Sequence, residues 1–321
     1  MGQPVDWQPN ASLATLQKRA QLLQNIRAFF ADRAVLEVDT PALSQFSVAA
    51  AQLHPVIAQL NDQHFYLQTS PEYAMKRLLA AGSGSIYQLG KAFRDGERGR
   101  LHNPEFMMLE WYRVDWSLTQ LLDEVCALLQ SCAQTPALTQ ADYGQLFEQH
   151  VGLNPHTATL EQLQQAAAQL LGKIDTDLLR ADLQALLFNH HVEPTLGQDA
   201  PIAVMHFPEE QAELARLIQP ANQPYLIAER AEIYWQGIEL ANGYQELTSA
   251  DELQSRWQQR QQEFPHPHPD WPTRQDPRLL AALNHGLPDC AGIALGVDRL
   301  LMLMLGETQV DRVVSFAMER A

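Results

Sequence analysis

The sequence predicts an α+β fold, and three observations carry that expectation. Two strand-like stretches at residues 87–94 and 106–114 are joined by a polar, Gly-containing link, the pattern of a long-looped antiparallel hairpin. Strand character returns at 202–207, 225–247 and 290–296. Apolar residues at helical spacing accompany these strands at 12–33, 118–132 and 298–305, with a further helix over 251–263.

Taken in order, the first helix carries Leu13, Leu16, Ala20, Leu23, Ile26 and Phe30 on one stripe, with Ser12 placed as its N-cap. Residues 36–40 alternate apolar with polar and stop at Pro41, which cannot donate to a sheet ladder. Ser70 then precedes an apolar-periodic run at 75–79 as a second N-cap, with Pro71 at the first helical position and Glu72 in the first turn. In the hairpin, period-two geometry puts Met108, Glu110 and Tyr112 on one face and Leu109, Trp111 and Arg113 on the other, so one face lines a site. The helix over 118–132 opens on a capping box, Ser117 with Gln120. Residues from about 117 to 200 read as a helical, Gln- and Ala-rich insertion with few side chains suited to chemistry. His266 and His268 alternate with proline in a stretch at 264–271 and read as a stiff extended loop, without the further ligands a metal site needs.

The bulk properties narrow the function. With 321 residues, 46% of them hydrophobic, the chain can bury a large core, and it is read as a single domain over 1–321. No apolar run approaches the ~18 residues of a membrane helix, and the first residues lack the basic and apolar regions of a signal peptide. The expectation is a cytoplasmic protein with no membrane partner. Cys126, Cys132 and Cys290 lack metal-site spacing and read as reduced and structural. A net charge of −16 without a basic patch opposes a nucleic-acid partner, while a small anion such as ATP depends only on local arginines and Mg²⁺.

Those arginines stand in two blocks about two hundred residues apart, Gly90-Lys91-Ala92-Phe93-Arg94 and Gly292-Ile293-Ala294-Leu295-Gly296-Val297-Asp298-Arg299. A guanidinium is planar, permanently charged and able to grip two phosphate oxygens at once. Arg94 and Arg299 therefore read as two halves of a triphosphate clamp. Glu239 and Glu246 lie seven residues apart in a strand-like stretch, an odd separation. Either one is buried and the other faces solvent, or a one-residue bulge at Gly243 brings both to one face, where they hold Mg²⁺ or an ammonium.

The order and spacing of these motifs resemble the catalytic domain of a class II aminoacyl-tRNA synthetase of the lysyl type. The helix-strand unit ending at Pro41 is similar to motif 1, Phe93-Arg94 with its loop to motif 2, and Gly292 to Arg299 to motif 3. Thr69-Ser70-Pro71-Glu72, His102-Asn103-Pro104-Glu105-Phe106, Leu109-Glu110-Trp111-Tyr112 and Ile238-Glu239-Leu240-Ala241-Asn242-Gly243 resemble the lysyl subgroup. The resemblance implies an antiparallel sheet flanked by helices, with a helical insertion between motifs 2 and 3. It implies ATP at Arg94, Asp95, Gly96, Asn103, Glu239, Leu240, Gly296 and Arg299, with both arginines catalytic. It further implies Mg²⁺ on Glu239 and Glu246, and a lysine-like substrate at Ser70, Pro71, Glu72, Tyr112, Glu246 and Ala294. Motif 1 in this family builds a two-fold interface, so a homodimer is expected.

Three departures narrow the resemblance. The chain starts almost at motif 1, leaving no room for an N-terminal anticodon-binding domain, so tRNA is not the expected acceptor. Arg94 is followed by Asp95, Gly96 and then Glu97, one position later than motif 2 has its glutamate; Glu97 replaces that residue, or adenine rests on the backbone. Ala294 stands where lysyl-tRNA synthetases have glycine, either a neutral difference or a methyl group that reshapes amino-acid choice. Together these features resemble the stand-alone lysyl-synthetase paralogues that modify elongation factor P. That resemblance implies (R)-β-lysine as the activated acid, elongation factor P as the acceptor, and an adenylate between them.

Overall fold

The computed structural model describes residues 7–48, 53–175, 177–263 and 275–321; His266 and His268 lie outside them. Helix α1 (Leu13–Ala31) begins where Ser12 accepts a hydrogen bond from the Thr15 amide, and it buries Leu22, Ile26, Phe29 and Phe30. Strand β1 (Leu36–Glu37) follows, shorter than the predicted 36–40. The Gln88 side chain accepts the Thr40 amide, so the ladder stops before Pro41. A small sheet comes next, from β2 (Leu43–Ser44), β3 (Ile57–Leu60) and β4 (Gln63–Leu67), then α2 (Glu72–Ala80).

The predicted hairpin is β5 (Ile86–Phe93) and β6 (Glu105–Val114), antiparallel from Ile86↔Tyr112 to Phe93↔Glu105. Helix α3 (Leu118–Ala133) starts on the predicted capping box of Ser117 and Gln120. Beyond it lie β7 (Thr139–Asp142), α4 (Tyr143–Val151), α5 (Leu160–Leu171), α6 (Arg180–His191), β8 (Ile202–Pro208) and β9 (Leu217–Ile218). The chain closes with β10 (Ile227–Trp235), β11 (Ile238–Gln245), α7 (Ala250–Glu263), α8 (Pro277–Gly286), β12 (Cys290–Gly296) and α9 (Val297–Met304).

The main sheet runs β1-β5-β6-β12-β11-β10-β8-β7, with β9 added beside β10. Its interior is antiparallel, as expected, but the two outermost pairs, β1 with β5 and β7 with β8, are parallel. The sheet is therefore mixed. On its back, α1, α3 and α9 seal one core: Leu121, Leu122, Val125 and Leu128 of α3 are fully buried, and each contributes about 1.5–3 kcal/mol of transfer free energy. Phe30 of α1 stacks on Tyr87 with ring centroids 4.4 Å apart.

The insertion departs from the expected 117–200 in two ways. Helix α3 packs in the central core, and β7 extends the main sheet. The separate unit is α4 to α6, whose Tyr143, Phe147 and Phe188 form their own aromatic core with Phe207 of β8. A third core joins α2, α7 and α8. Among the described residues no helix is long and apolar enough to cross a membrane, and the three cysteines are free.

Candidate active site

The open face of the sheet is shaped by β12, whose site-facing residues are small. In register, Gly292 opposes Tyr112, Ala294 opposes Glu110 and Gly296 opposes Met108 on one side; Ala294 opposes Asn242 and Gly292 opposes Tyr244 on the other. Large polar side chains thus rise from β6 and β11 along a trough floored by glycine and alanine. A Cβ on Gly292 would lie 2.3 Å from the Tyr112 ring and 2.6 Å from Glu246, so only glycine fits. The resulting cavity encloses about 1060 Å³, with two arginines towards one end and three carboxylates about a buried lysine towards the other.

One end holds the two arginines, each facing a carboxylate. Arg299, in the first turn of α9, donates to the Glu239 carbonyl at 2.9 Å and to the Leu101 carbonyl at 3.3 Å, and meets His102 Nε2 at 2.7 Å. Burial and the Arg299 charge both lower the His102 pKa, which keeps the ring neutral and able to accept from the arginine. Arg94 leaves the end of β5, lies over the Phe106 ring at 5.0 Å and reaches Glu97 at 3.4 Å. Glu97 thus faces Arg94 and, at 4.0 Å, His102. Behind the clamp, Asp298 accepts from Arg19 of α1 at 2.5 Å and from the Met107 amide at 2.9 Å, tying the helix and strand that carry it.

The other end is anionic. Glu110 accepts from Ser70 at 2.7 Å and from the Tyr112 hydroxyl at 2.7 Å. Lys76 lies 2.7 Å from Glu72 and 2.6 Å from Glu246, with Lys76 and Glu246 almost wholly buried. Burial pushes the Glu110 carboxyl up to about 7, aided by the neighbouring Glu72 charge. Burial also raises Glu246, with Lys76 opposing the rise. Glu246 Oε2 is taken up by the Lys76 ammonium, whereas the buried Asn242 Oδ1 has no hydrogen-bond partner. A buried acceptor left open in a carboxylate-lined pocket suits an ammonium ligand.

A family model of class II tRNA synthetases (D, K and N) matches residues 3–320. The chain belongs to this family. It is 47% identical to the elongation factor P–(R)-β-lysine ligase of Yersinia enterocolitica, and 46% identical to the ligases of that name from Pectobacterium carotovorum and Proteus mirabilis, in each case over 100% of both chains.

In this class II synthetase domain, motifs 2 and 3 supply the arginine end as β5 with β6 and β12 with α9. Arg94, Asn103, Glu239, Leu240, Gly296 and Arg299 all line the cavity, as do Ser70, Glu72, Tyr112, Glu246 and Ala294. Pro71, Asp95 and Gly96 are outside its walls. Pro71 is the N-cap of α2, displacing the predicted Ser70 by one position; the Ser70 hydroxyl instead accepts the Glu72 amide at 3.0 Å while donating to Glu110. Asp95 and Gly96 form a tight turn, the Asp95 side chain accepting the Gly96 amide at 2.8 Å. Asn103 is occupied by backbone, donating to the Glu105 carbonyl and accepting from the Met318 amide.

The Glu239 and Glu246 pairing is corrected. Ile233 of β10 opposes Ala241 and Tyr234 opposes Glu239, so the bulge falls at Leu240, three residues before the expected Gly243. It does bring both glutamates to the cavity. Seven residues of strand nevertheless separate them by roughly 20 Å, too far for one ion. Their surroundings differ accordingly: Glu246 meets Lys76, while Glu239 meets Arg299 at 3.5 Å. Gly243 serves the other face, where a Cβ would lie 2.7 Å from Ile293.

Residues that motif reading missed complete both ends. Glu239 shares its neighbourhood with Glu232 of β10 and Glu193, from the short 3-10 turn Glu193–Thr195 of the insertion. Burial and these like charges push Glu193 up to about 7 and raise Glu232. Among the described residues no three such side chains form a complete metal site. Crowded carboxylates beside a phosphate clamp do suit a cation whose remaining ligands are phosphate oxygens. Lys76 was legible only as a helical residue four after Glu72; nothing in its spacing marked Glu246 as its partner.

Proposed function

We propose that this chain uses ATP to activate (R)-β-lysine as an adenylate and transfers it to the ε-amine of a lysine on elongation factor P. The observation that carries the reading is a single cavity with two arginines at one end and three carboxylates at the other, two of them bridged by a lysine and the third held by Ser70 and Tyr112. The shared name of full-length relatives supplies the identity of the acid and the acceptor.

The residues divide the work. Arg94 grips the α-phosphate and Arg299 the γ-phosphate, with His102 fixing the Arg299 fork. Glu72, Glu110 and Glu246 take the two ammonium groups, and Ala294 borders the substrate backbone. The substrate carboxylate then attacks the α-phosphorus, the bond to the β-phosphate breaks, and pyrophosphate leaves. In the second step the acceptor amine attacks the acyl carbon, AMP departs and the amine loses a proton. No covalent enzyme intermediate is needed; alignment and neutralisation of phosphate charge supply the acceleration. Glu239, backed by Glu232, fits Mg²⁺, which when bound offsets the charge of the triphosphate. We further propose a homodimer built on the motif 1 surface, where Leu13, Leu36 and Leu43 are exposed; a stable monomer on sedimentation at low concentration would refute it.

The test offers purified enzyme with ATP and (R)-β-lysine both elongation factor P and tRNA. The expected result is a β-lysyl mass increment on the factor and no charged tRNA. Efficient charging of tRNA with the factor unmodified would overturn the reading.

A further inference from the structure

Among the described residues the anionic end holds a buried lysine, Lys76, to which the steps proposed above assign no part. Lys76 follows Glu72 by four residues on α2, so both side chains lie on the same helix face, turned towards β11 and β12. Its ammonium sits 2.7 Å from Glu72 and 2.6 Å from Glu246 and is 2% exposed. Burial favours the neutral amine, but the charges of Glu246 and Glu72 override it and raise the pKa, so Lys76 stays ionised. A buried lysine is costly unless its partners are held, and here both partners line the substrate cavity.

The hydroxyl and thiol groups facing this cluster add no charge, and beyond Tyr244 the carboxylate of Glu213 faces Arg230 at 3.6 Å. Tyr112 of β6, Tyr244 of β11 and Cys290 of β12 are each pushed up by burial first, and then by the surrounding carboxylates, and remain neutral. The count is therefore simple: three carboxylates, Glu72, Glu110 and Glu246, less one ammonium, leave two net negative charges when all are ionised. A diamino acid whose carboxylate is tied up in an acyl phosphate carries two positive charges. The match is one to one.

From this we infer that Lys76 is a specificity-determining positioning residue: it fixes the net charge of the amino-acid pocket at two negatives and holds Glu72 and Glu246 to receive a substrate with two ammonium groups. The inference deepens the proposed function and rests on it. An acid with one ammonium leaves a buried carboxylate unpaired, whereas one with two satisfies the pocket. Without Lys76 the three carboxylates repel one another, and one of them must take up a proton before the pocket can be occupied.

The experiment measures amino-acid-dependent pyrophosphate exchange at saturating ATP against pH for the wild type, K76M and K76R. Because Lys76 lowers the pKa of both Glu110 and Glu246, its loss should move the acid limb of kcat/KM for (R)-β-lysine upward by about 1–3 pH units. Preference for two-ammonium over one-ammonium acids should fall about tenfold or more. The KM for ATP should stay within about twofold, since the clamp lies at the other end, and K76R should restore the wild-type limb. If K76M does not fold, K76Q, whose amide still donates to one carboxylate, carries the same expectation. An unmoved limb with unchanged preference overturns the role of Lys76 while leaving the function intact. A wild type inert towards every diamino acid overturns the function and this inference with it.

Discussion

The two ends of the cavity stand on one sheet and solve opposite problems. At the nucleotide end, Arg94 and Arg299 are partly exposed and borrow backbone carbonyls as resting partners, Thr69 for Arg94 and Glu239 and Leu101 for Arg299. Such contacts are exchanged for phosphate oxygens at small cost. At the amino-acid end, Glu110, Glu246 and Lys76 are buried and already partnered before any substrate arrives, Glu246 with Lys76 and Glu110 with Ser70 and Tyr112. The nucleotide end thus attracts a highly charged, common ligand, while the amino-acid end is preorganised to discriminate. Desolvation makes each missing or extra charge expensive there.

This contrast is broken most severely at the clamp. Arg299→Ala should lower kcat for adenylate formation by about 10²–10³ with the fold retained, because one preorganised charge on the reacting phosphates is lost. The KM for the amino acid should move little; circular dichroism alongside pyrophosphate exchange separates this from misfolding. Gly292→Ala comes next. Its methyl group enters the Tyr112 ring and the Glu246 carboxylate, so stability should fall by about 1–3 kcal/mol, and KM for (R)-β-lysine should rise about tenfold or more. Thermal unfolding and steady-state kinetics check the two parts.

A pH titration sharpens the same contrast. Glu110 has its carboxyl raised to about 7, and ammonium binding favours the ionised form. The sign follows: above that pH the pocket is ready, and as pH falls through about 7 a proton must be displaced first. KM for the amino acid should therefore rise towards about tenfold per pH unit on the acid side, while KM for ATP over the same range stays nearly flat. Glu110→Gln should lessen that acid-side slope, leaving the part that the likewise raised Glu246 contributes. The smallest effect is expected at Ala294→Gly, between Glu110 and Asn242 in the sheet register, where losing one methyl should shift relative kcat/KM towards α-lysine by about tenfold. Competition between the two isomers measures it.

Local chemistry was legible in the sequence wherever neighbours along the chain decide it. The Ser117 and Gln120 capping box, the Ser12 cap, the hairpin and its alternating faces depend on spacings of two to four residues, and they stand as read. That the two arginine blocks meet was also legible, since Arg94 and Arg299 line one cavity; their grip on phosphate belongs to the proposed function. Features set across strands were not. The bulge sits at Leu240 because of how β11 pairs with β10, and a bulge at Gly243 was equally compatible with the side-chain pattern. The link between Lys76 and Glu246 joins residues 170 positions apart in the chain, and β7 joins the sheet only through parallel pairing with β8. The parallel edges of the sheet were hidden for the same reason.

The most direct measurement is pyrophosphate exchange by the isolated enzyme with ATP and Mg²⁺, comparing (R)-β-lysine, α-lysine and an acid bearing a single ammonium group, without any acceptor. The expected result is exchange that is strongest with (R)-β-lysine, weaker with α-lysine and negligible with the single-ammonium acid. Equal exchange with all three, or none with any, would contradict it.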